Sequence, residues 1–202
     1  MASLLASTQN TRCILPNDFR YIRSDVPCQI TAKETEWLLQ QDVRTVIDLR
    51  TWEEQQRKPC TLQHHPAFTY HSLPVTGGNT VPATPEDVAA SYIAMADGQM
   101  RRIIQTIQQA ESNVLYFCNA GKDRTGVVSA ILLALQGIPD ADIARDYMKS
   151  KPNLMPMLLS YAAQNPSVDI RVITPSETYI QGFLDWLKQS NFLEGVSSNE
   201  AL

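Results

Sequence analysis

Several features that mark large classes of protein are scarce or missing in this sequence of 202 residues. Its four cysteines form no Cys-x-x-Cys pair, so neither a zinc ribbon nor a thioredoxin-type site is predicted. Its 17 lysines and arginines are outnumbered by 21 acidic residues, which gives a formal net charge of −4. This mild acidity disfavours a nucleic-acid-binding or polybasic membrane-surface protein. It still allows an anionic substrate, because a local positive pocket can exist on an acidic protein.

Histidines are also few, and their spacing does not suit a metal. His64 and His65 are adjacent and His71 follows on the next predicted strand, a pattern that does not match known metal-ligand spacings. We therefore predict no metal site and interpret the three histidines as surface or packing residues.

Long apolar runs and internal repeats are missing as well. Residues 1–7 have no basic start and only a short apolar run, so we expect neither a signal peptide nor a membrane-spanning helix. The default location is then the cytoplasm, although export by another route stays open. A hydrophobic content of 44% fits a soluble globular protein. We expect one domain over residues 1–202, with loosely ordered ends at about 1–17 and 195–202.

Hydrophobic patterning predicts strands that alternate with helices, followed by helices alone. The predicted strands lie at residues 19–22, 43–49, 68–75 and 114–118. The predicted helices lie at residues 31–41, 51–58, 84–95, 101–110, 127–135, 140–148, 153–163 and 176–187. Two of them begin at capping boxes, Thr31-x-x-Glu34 and Thr51-x-x-Glu54, while residues 164–174 have no clear assignment. This order predicts an α/β fold with a parallel-rich central sheet flanked by helices.

The richest chemistry lies in the loop between the last predicted strand and a buried helix, Cys-Asn-Ala-Gly-Lys-Asp-Arg-Thr at residues 118–125. Converging loop N–H groups and a helix N-terminus suit an oxyanion, and the fork of Arg124 can bind two phosphate oxygens. The same positive field favours the thiolate of Cys118, the nucleophilic form. Thr125 could hydrogen-bond the sulfur as it leaves. The implied chemistry is attack on phosphorus, a cysteinyl-phosphate intermediate, and hydrolysis by water.

This loop resembles the signature of cysteine-dependent protein tyrosine phosphatases. The full string resembles a bacterial branch of tyrosine and dual-specificity phosphatases, some members of which act on phosphoinositides. Similar segments of that branch are Arg23-Ser24, the Asp-Leu-Arg run at residues 48–50 and Asp146-Tyr147. The resemblance implies a phosphatase fold, a phosphorylated protein or a phosphoinositide as substrate, and no cofactor or metal. It implies that phosphate is bound by Asn119, Ala120, Gly121, Lys122, Asp123 and Arg124.

A general acid is needed to protonate the leaving oxygen, and three aspartates are candidates. The resemblance puts Asp123 first, Asp48 at the end of a predicted strand second, and Asp87 third. Each has a structural alternative: Asp123 could bind loop amides or Lys122, Asp48 could pair with Arg50, and Asp87 suits a first helical turn.

Two residues leave the substrate and the activity open. Phe117 stands where the family signature has a histidine that helps to fix the loop and activate the thiol, which makes a phospho-binding pseudophosphatase the alternative to an enzyme. Lys122 suits a multiply charged substrate such as a phosphoinositide or inositol phosphate, or it points to solvent. The plainest alternative is that Cys118 is only a buried, small apolar residue.

Overall fold

The computed structural model describes residues 3–197. Within this range the strands are β1 (Arg12–Leu15), β2 (Asp18–Ser24), β3 (Val43–Asp48), β4 (Thr69–Ser72) and β5 (Asn113–Phe117). The helices are α1 (Ala32–Gln40), α2 (Trp52–Arg57), α3 (Asp87–Ala94), α4 (Gly98–Gln109), α5 (Asp123–Leu135), α6 (Asp140–Met148), α7 (Ser150–Gln164), α8 (Ile170–Ile173), α9 (Glu177–Gln189) and α10 (Phe192–Ser197). The predicted α/β class is confirmed by this alternation.

The strands form one sheet in the order β1-β2-β5-β3-β4. Among the described strands, only the β1–β2 pair is antiparallel, whereas β2, β5, β3 and β4 run parallel to one another. Phe117 at the end of the central strand β5 is in register with Ser24 on one side and Asp48 on the other. The carboxyl ends of three parallel strands therefore meet at one edge, where sites of open α/β sheets lie.

The sheet separates two apolar layers, and β5 contributes to both. Val114 and Tyr116 belong to the larger layer, which also contains α4, α5 and α9, while Leu115 and Phe117 face the smaller layer with α1. This alternation is the period of a strand that is buried on both faces. Helix α5 is buried from residue 124 to residue 133, so the loop between β5 and α5 rests on two fully packed elements.

Local sequence signals explain several element boundaries. Both predicted capping boxes are present, at Thr31 and Thr51, with the side chain of each threonine bound by the residue three positions on. The unassigned residues 164–174 contain the short helix α8, which Asp169 caps through the N–H group of Arg171. Among the described residues, no helix combines the length and the apolar character needed to cross a membrane.

The expectation of a loosely ordered start is wrong for the residues that join the sheet. Residues 12–15 form the edge strand β1, and Asn10 and Thr11 ahead of it are fully buried. Polar side chains anchor this segment, and hydrophobic patterning does not register them. At the other end α10 continues through residues 195–197, and residues 198–202 of the predicted loose end lie outside the described residues. That the chain is one domain stays a prediction.

Candidate active site

The loop after β5 brings the predicted nucleophile and the predicted anion-binding residues together. Cys118 follows the last residue of β5 and is only 3% exposed. Arg124 and Thr125 lie in the first turn of α5, where helix N–H groups have no partner within the helix. Burial acts against the charge of Arg124, but hydrogen bonds to Glu54 and the electrostatic interaction with Cys118 raise its pKa. The guanidinium and the sulfur therefore share one electrostatic site.

The carbonyl groups of the loop are held from behind. Asn10 Nδ2 donates to the carbonyl oxygens of Ala120 and Gly121, at 3.1 and 3.0 Å. Arg23 Nη2 donates to the Gly121 oxygen at 2.8 Å, and the Val26 N–H group donates to the oxygen of the preceding loop residue, 119. These donors fix the orientation of three consecutive peptide groups in the loop.

The N–H groups of the same peptides are available to a ligand. The N–H groups of residues 120–122 belong to these three peptides, and they and the N–H group of residue 119 donate to no acceptor within the described part of the chain. Gly121 makes the turn with φ +64°, and a Cβ atom there would come within 2.5 Å of the Ser24 carbonyl carbon. A loop with its carbonyls bound and its N–H groups free is an anion-binding nest.

A buried ion network supports the loop donors. Asp146 binds Arg12 Nε through Oδ1 at 2.9 Å and Arg23 Nη1 through Oδ2 at 2.6 Å, and all three side chains are at most 5% exposed. Burial acts to raise the pKa of Asp146, but the charges of Arg23 and Arg12 outweigh it and lower the pKa. Burial and the neighbouring Arg23 lower the pKa of Arg12 to about 10. Asp146 thus fixes the two arginines, one of which holds the loop.

Glu54 is a site residue that sequence reasoning missed. It receives Arg124 Nη1 and Nη2 at 2.6 and 2.8 Å, and Asn119 Nδ2 at 2.5 Å. Burial acts to raise the pKa of Glu54, but hydrogen bonds from Arg124 hold it below its usual value. In the sequence, Glu54 is recognised as part of a capping box with Thr51, and that capping box is present. This local role was a sufficient reason for a glutamate at the position. Its position just beyond the end of β3, the neighbour of β5, could have indicated a second role.

Lys122 and Asp123 pair with each other at the entrance of the site. Lys122 Nζ lies 3.2 Å from Asp123 Oδ1 and donates to the Ile173 carbonyl oxygen at 2.5 Å. The lysine side chain is 6% exposed and the aspartate side chain 35%, so the alternative in which Lys122 points to solvent is wrong. Tyr92, which sequence reasoning also missed, donates its hydroxyl to Asp123 Oδ1 at 2.5 Å.

The other two candidate acids are occupied elsewhere. Asp48 is fully buried and binds Arg50 through both oxygens, at 2.9 and 2.6 Å, and Tyr70 donates to it as well. Asp87 accepts the N–H and hydroxyl groups of Thr84 at the start of α3. In each case the structural alternative is the one observed.

A cleft of about 180 Å³ opens above the loop. It is lined by residues 78–82, by parts of α2, α3 and α8, and by Asn119, Lys122, Asp123 and Arg124. Cys118 and Thr125 are buried and do not line it in the described structure. Thr125 Oγ1 has no hydrogen-bond partner among the described residues. Of the three candidate acids, Asp123 is the one at the cleft.

Phe117 replaces the expected histidine with an apolar contact. Its ring is fully buried and lies 5.2 Å from the guanidinium carbon of Arg50, which is the partner of Asp48. This cation–π contact links β5 to the end of β3. Elsewhere, the described residues contain no group of three or more His, Cys, Asp or Glu side chains that could hold a metal ion.

Comparison with known proteins gives a consistent result. The tyrosine phosphatase family model matches residues 8–192. A tyrosine-protein phosphatase of Nostoc commune is 28% identical over 137 residues, which cover 63% of this chain and 47% of that protein. The chain spans about half the length of the curated relatives that it matches. Two crystal structures of P. aeruginosa TpbA share 14% sequence identity with this chain. The structure of the complex with pTyr has a TM-score of 0.47 and covers 96% of this chain and 96% of its own. The other has a TM-score of 0.45 and covers 95% of this chain and 94% of its own.

Proposed function

The chain belongs to the tyrosine phosphatase family, and on that premise we propose that it hydrolyses phosphomonoesters, protein phosphotyrosine foremost, through a cysteinyl-phosphate intermediate. The observation that carries the proposal is the loop 118–125. Its carbonyls are bound from behind by Asn10, Arg23 and Val26, and its N–H groups are left for an anion. Such prearranged donors stabilise the charge of a transferring phosphoryl group.

In the proposed first step the Cys118 thiolate attacks phosphorus. Loop N–H groups and Arg124 bind the non-bridging oxygens, and Asp123 gives a proton to the leaving oxygen. Arg124 can bind phosphate without releasing Glu54, because Glu54 engages only some of its N–H groups and Nε–H is among those left.

In the second step water attacks the cysteinyl phosphate and passes a proton to Asp123, and the sulfur leaves as a thiolate. The hydroxyl of Thr125 has no other partner among the described residues and is suited to donate to that sulfur. No metal or cofactor is needed for either step.

The substrate alternatives depend on Lys122. A phosphoinositide or inositol phosphate would need a further cation beside the loop. The ammonium of Lys122 is bound to the Ile173 carbonyl and to Asp123, which favours a singly phosphorylated group. A phospho-binding protein without turnover is the reading that Phe117 suggests, and the presence of both Cys118 and Asp123 argues against it.

Phosphate release in the presence of EDTA tests the proposal. The substrates are an aryl phosphate, phosphotyrosine and phosphoserine peptides, and a phosphoinositide; the proteins are wild type, Cys118→Ser and the control Cys28→Ser, which changes a half-buried cysteine of another segment. We expect turnover in wild type and in Cys28→Ser, with phosphotyrosine preferred, and none in Cys118→Ser. Turnover that persists in Cys118→Ser, or an inactive wild type that still binds phosphopeptide, contradicts the enzymatic proposal.

A further inference from the structure

Three side chains form a hydrogen-bonded chain from the cleft into the core. The hydroxyl of Tyr92 donates to Asp123 Oδ1 at 2.5 Å and lies 2.7 Å from the hydroxyl of Tyr147. Both tyrosines are 1% exposed, and their rings meet edge to face at 6.2 Å. Asp123, Tyr92 and Tyr147 belong to α5, α3 and α6. The carboxyl at the cleft is therefore held by two further helices.

The direction of these hydrogen bonds follows from proton counting. Tyr92 has a single hydroxyl hydrogen, and since it is donated to Asp123, Tyr92 must accept from Tyr147. Burial, together with the charge of Asp123, raises the pKa of Tyr92 and also that of Tyr147. Both phenols therefore remain neutral hydrogen-bond donors. The one arrangement open to them is that Tyr147 donates to Tyr92 and Tyr92 donates to the Asp123 carboxylate.

The two oxygens of Asp123 have different surroundings. Oδ1 accepts from Tyr92 and lies 3.2 Å from Lys122 Nζ. Oδ2 accepts no hydrogen bond from the residues that the structure describes. A proton on a carboxylic acid is placed more favourably on the oxygen that is not already facing two donors.

We propose, resting on the proposed function, that Tyr92 is a positioning residue that fixes Asp123 through Oδ1 and leaves Oδ2 to carry the proton. In the first step the proton moves from Oδ2 to the leaving oxygen as the phosphorus–oxygen bond breaks. In the second step water bonds to phosphorus, its proton returns to Oδ2, and the phosphorus–sulfur bond breaks to give back the thiolate. Oδ1 stays bound to Tyr92 throughout.

Tyr92 contributes by orienting the carboxyl group of Asp123. Asp123 is the first residue of α5, and a carboxylate there can also turn toward the free N–H groups of its own helix. The bond to Tyr92 opposes that rotation, and misplacement of a catalytic group slows the chemical step more than it weakens substrate binding. Loss of a residue that acts in this way should lower kcat most for the substrates whose leaving group most needs a proton.

The test is the leaving-group dependence of Tyr92→Phe, which removes one oxygen and keeps the ring. With a series of aryl phosphates of rising phenol pKa, we expect kcat to fall roughly tenfold for the poorest leaving groups and little for the best. KM should stay within about twofold. In the Asp123→Asn background, Tyr92→Phe should have no further effect. Tyr116→Phe is the matched control, since it also removes a buried hydroxyl, one that lies 2.7 Å from Ser129 Oγ.

Several outcomes would overturn the inference. An equal loss for all leaving groups, or a loss that persists in Asp123→Asn, would make Tyr92 merely structural. A leaving-group effect in Asp123→Asn without one in Tyr92→Phe would sink the inference and leave the proposed function standing. Wild type without turnover would remove both. If Tyr92→Phe does not fold, Tyr147→Phe replaces it: it keeps the bond to Asp123 and removes the support of Tyr92, so a smaller loss with the same leaving-group pattern is expected.

Discussion

Glu54 accepts hydrogen bonds from the guanidinium of Arg124 through both carboxylate oxygens, at 2.6 and 2.8 Å. The pair is nearly buried, with 10% and 5% of the two side chains exposed. Because Glu54 also closes the capping box of α2, the orientation of the arginine is tied to the backbone that follows β3. Charge-assisted bidentate pairs of this kind fix a plane as well as a position.

Glu54→Gln tests whether the orientation of the Arg124 guanidinium matters for activity. The amide can still accept a hydrogen bond but cannot hold Arg124 through two charged oxygens, so we expect kcat/KM to fall by roughly tenfold to a hundredfold. The free energy of unfolding should fall by about 3–5 kcal/mol, because a nearly buried ion pair loses one of its charges, and the weakened cap adds to this loss. Steady-state kinetics and urea denaturation measure the two effects. The control is Glu53→Gln, an exposed neighbour on the same helix; equal losses in both variants would contradict the assignment.

Asp146→Asn should destabilise the protein strongly. It leaves Arg12 and Arg23 without the carboxylate that both of them bind, and breaking a buried ion pair typically costs about 3–5 kcal/mol. Asp142→Asn, on the same helix, removes an exposed pair with Arg145 and should change the free energy of unfolding by less than about 1 kcal/mol. Similar values for the two variants in urea denaturation would refute the role of the network.

The ion pairs of Asp146 should also make the stability of the protein depend on pH. The pKa of Asp146 is lower in the folded protein than in the unfolded chain, so its contribution is fully present above the unfolded value of about 4 and is lost as pH falls through the folded value. Wild type should therefore lose stability as the pH falls below about 4, and Asp146→Asn should lose less over that interval. Parallel curves for wild type and variant would contradict this prediction.

Gly121→Ala should damage the loop in a way that backbone strain alone does not. A Cβ atom at this position would approach the Ser24 carbonyl carbon to 2.5 Å and the N atom of residue 25 to 2.6 Å, on top of the strain of φ +64°. Gly137→Ala is the matched control, because φ is +71° but no atom lies within 4 Å of the new Cβ. The control should cost about 1 kcal/mol and keep activity. Gly121→Ala should cost more in thermal denaturation and lose most turnover; comparable behaviour of the two would argue against a close-packed loop.

The parts of the site that are contiguous in the chain could be predicted from the sequence. Cys118, Arg124 and Thr125 lie on one strand–loop–helix unit, whose apolar runs and glycine fix its local geometry. The parallel order of the sheet also followed from the alternation of strands and helices. Such features depend on short-range patterns, which hydrophobic periodicity and turn residues record directly.

Two of the side chains that hold this unit in place, Asn10 and Glu54, come from distant segments and could not be predicted. Asn10 is 111 residues from its acceptor Gly121, and Glu54 is 70 residues from Arg124. Each has a polar side chain that a local role could explain, and only the tertiary fold reveals the second role. The edge strand β1 was missed for a related reason, since Arg12 within it is buried through ion pairing rather than through apolar character.

Phe117→His would restore the residue that the resemblance leads one to expect, and we predict that it does not raise activity. The imidazole would be buried beside the Arg50 guanidinium, where Phe117 now makes a cation–π contact. Polar ring atoms without assured partners at a buried site typically cost about 1–3 kcal/mol. Phe117→Leu is the control, because it keeps an apolar side chain and loses only the ring facing Arg50.

The sign of the pH effect distinguishes this explanation from a simple packing defect. Burial disfavours the protonated imidazole, and the charge of the neighbouring Arg50 is already balanced by Asp48, so the pKa of the new histidine should be lower in the folded protein than its unfolded value of about 6.5. The unfolded chain then binds more protons, and the stability deficit of Phe117→His relative to Phe117→Leu should grow as the pH falls below about 6.5. Urea denaturation from pH 5 to pH 8, at about half-unit steps, measures this difference. A faster kcat with unchanged stability would show instead that the imidazole can serve the Cys118 thiol, and that Phe117 limits the wild-type rate.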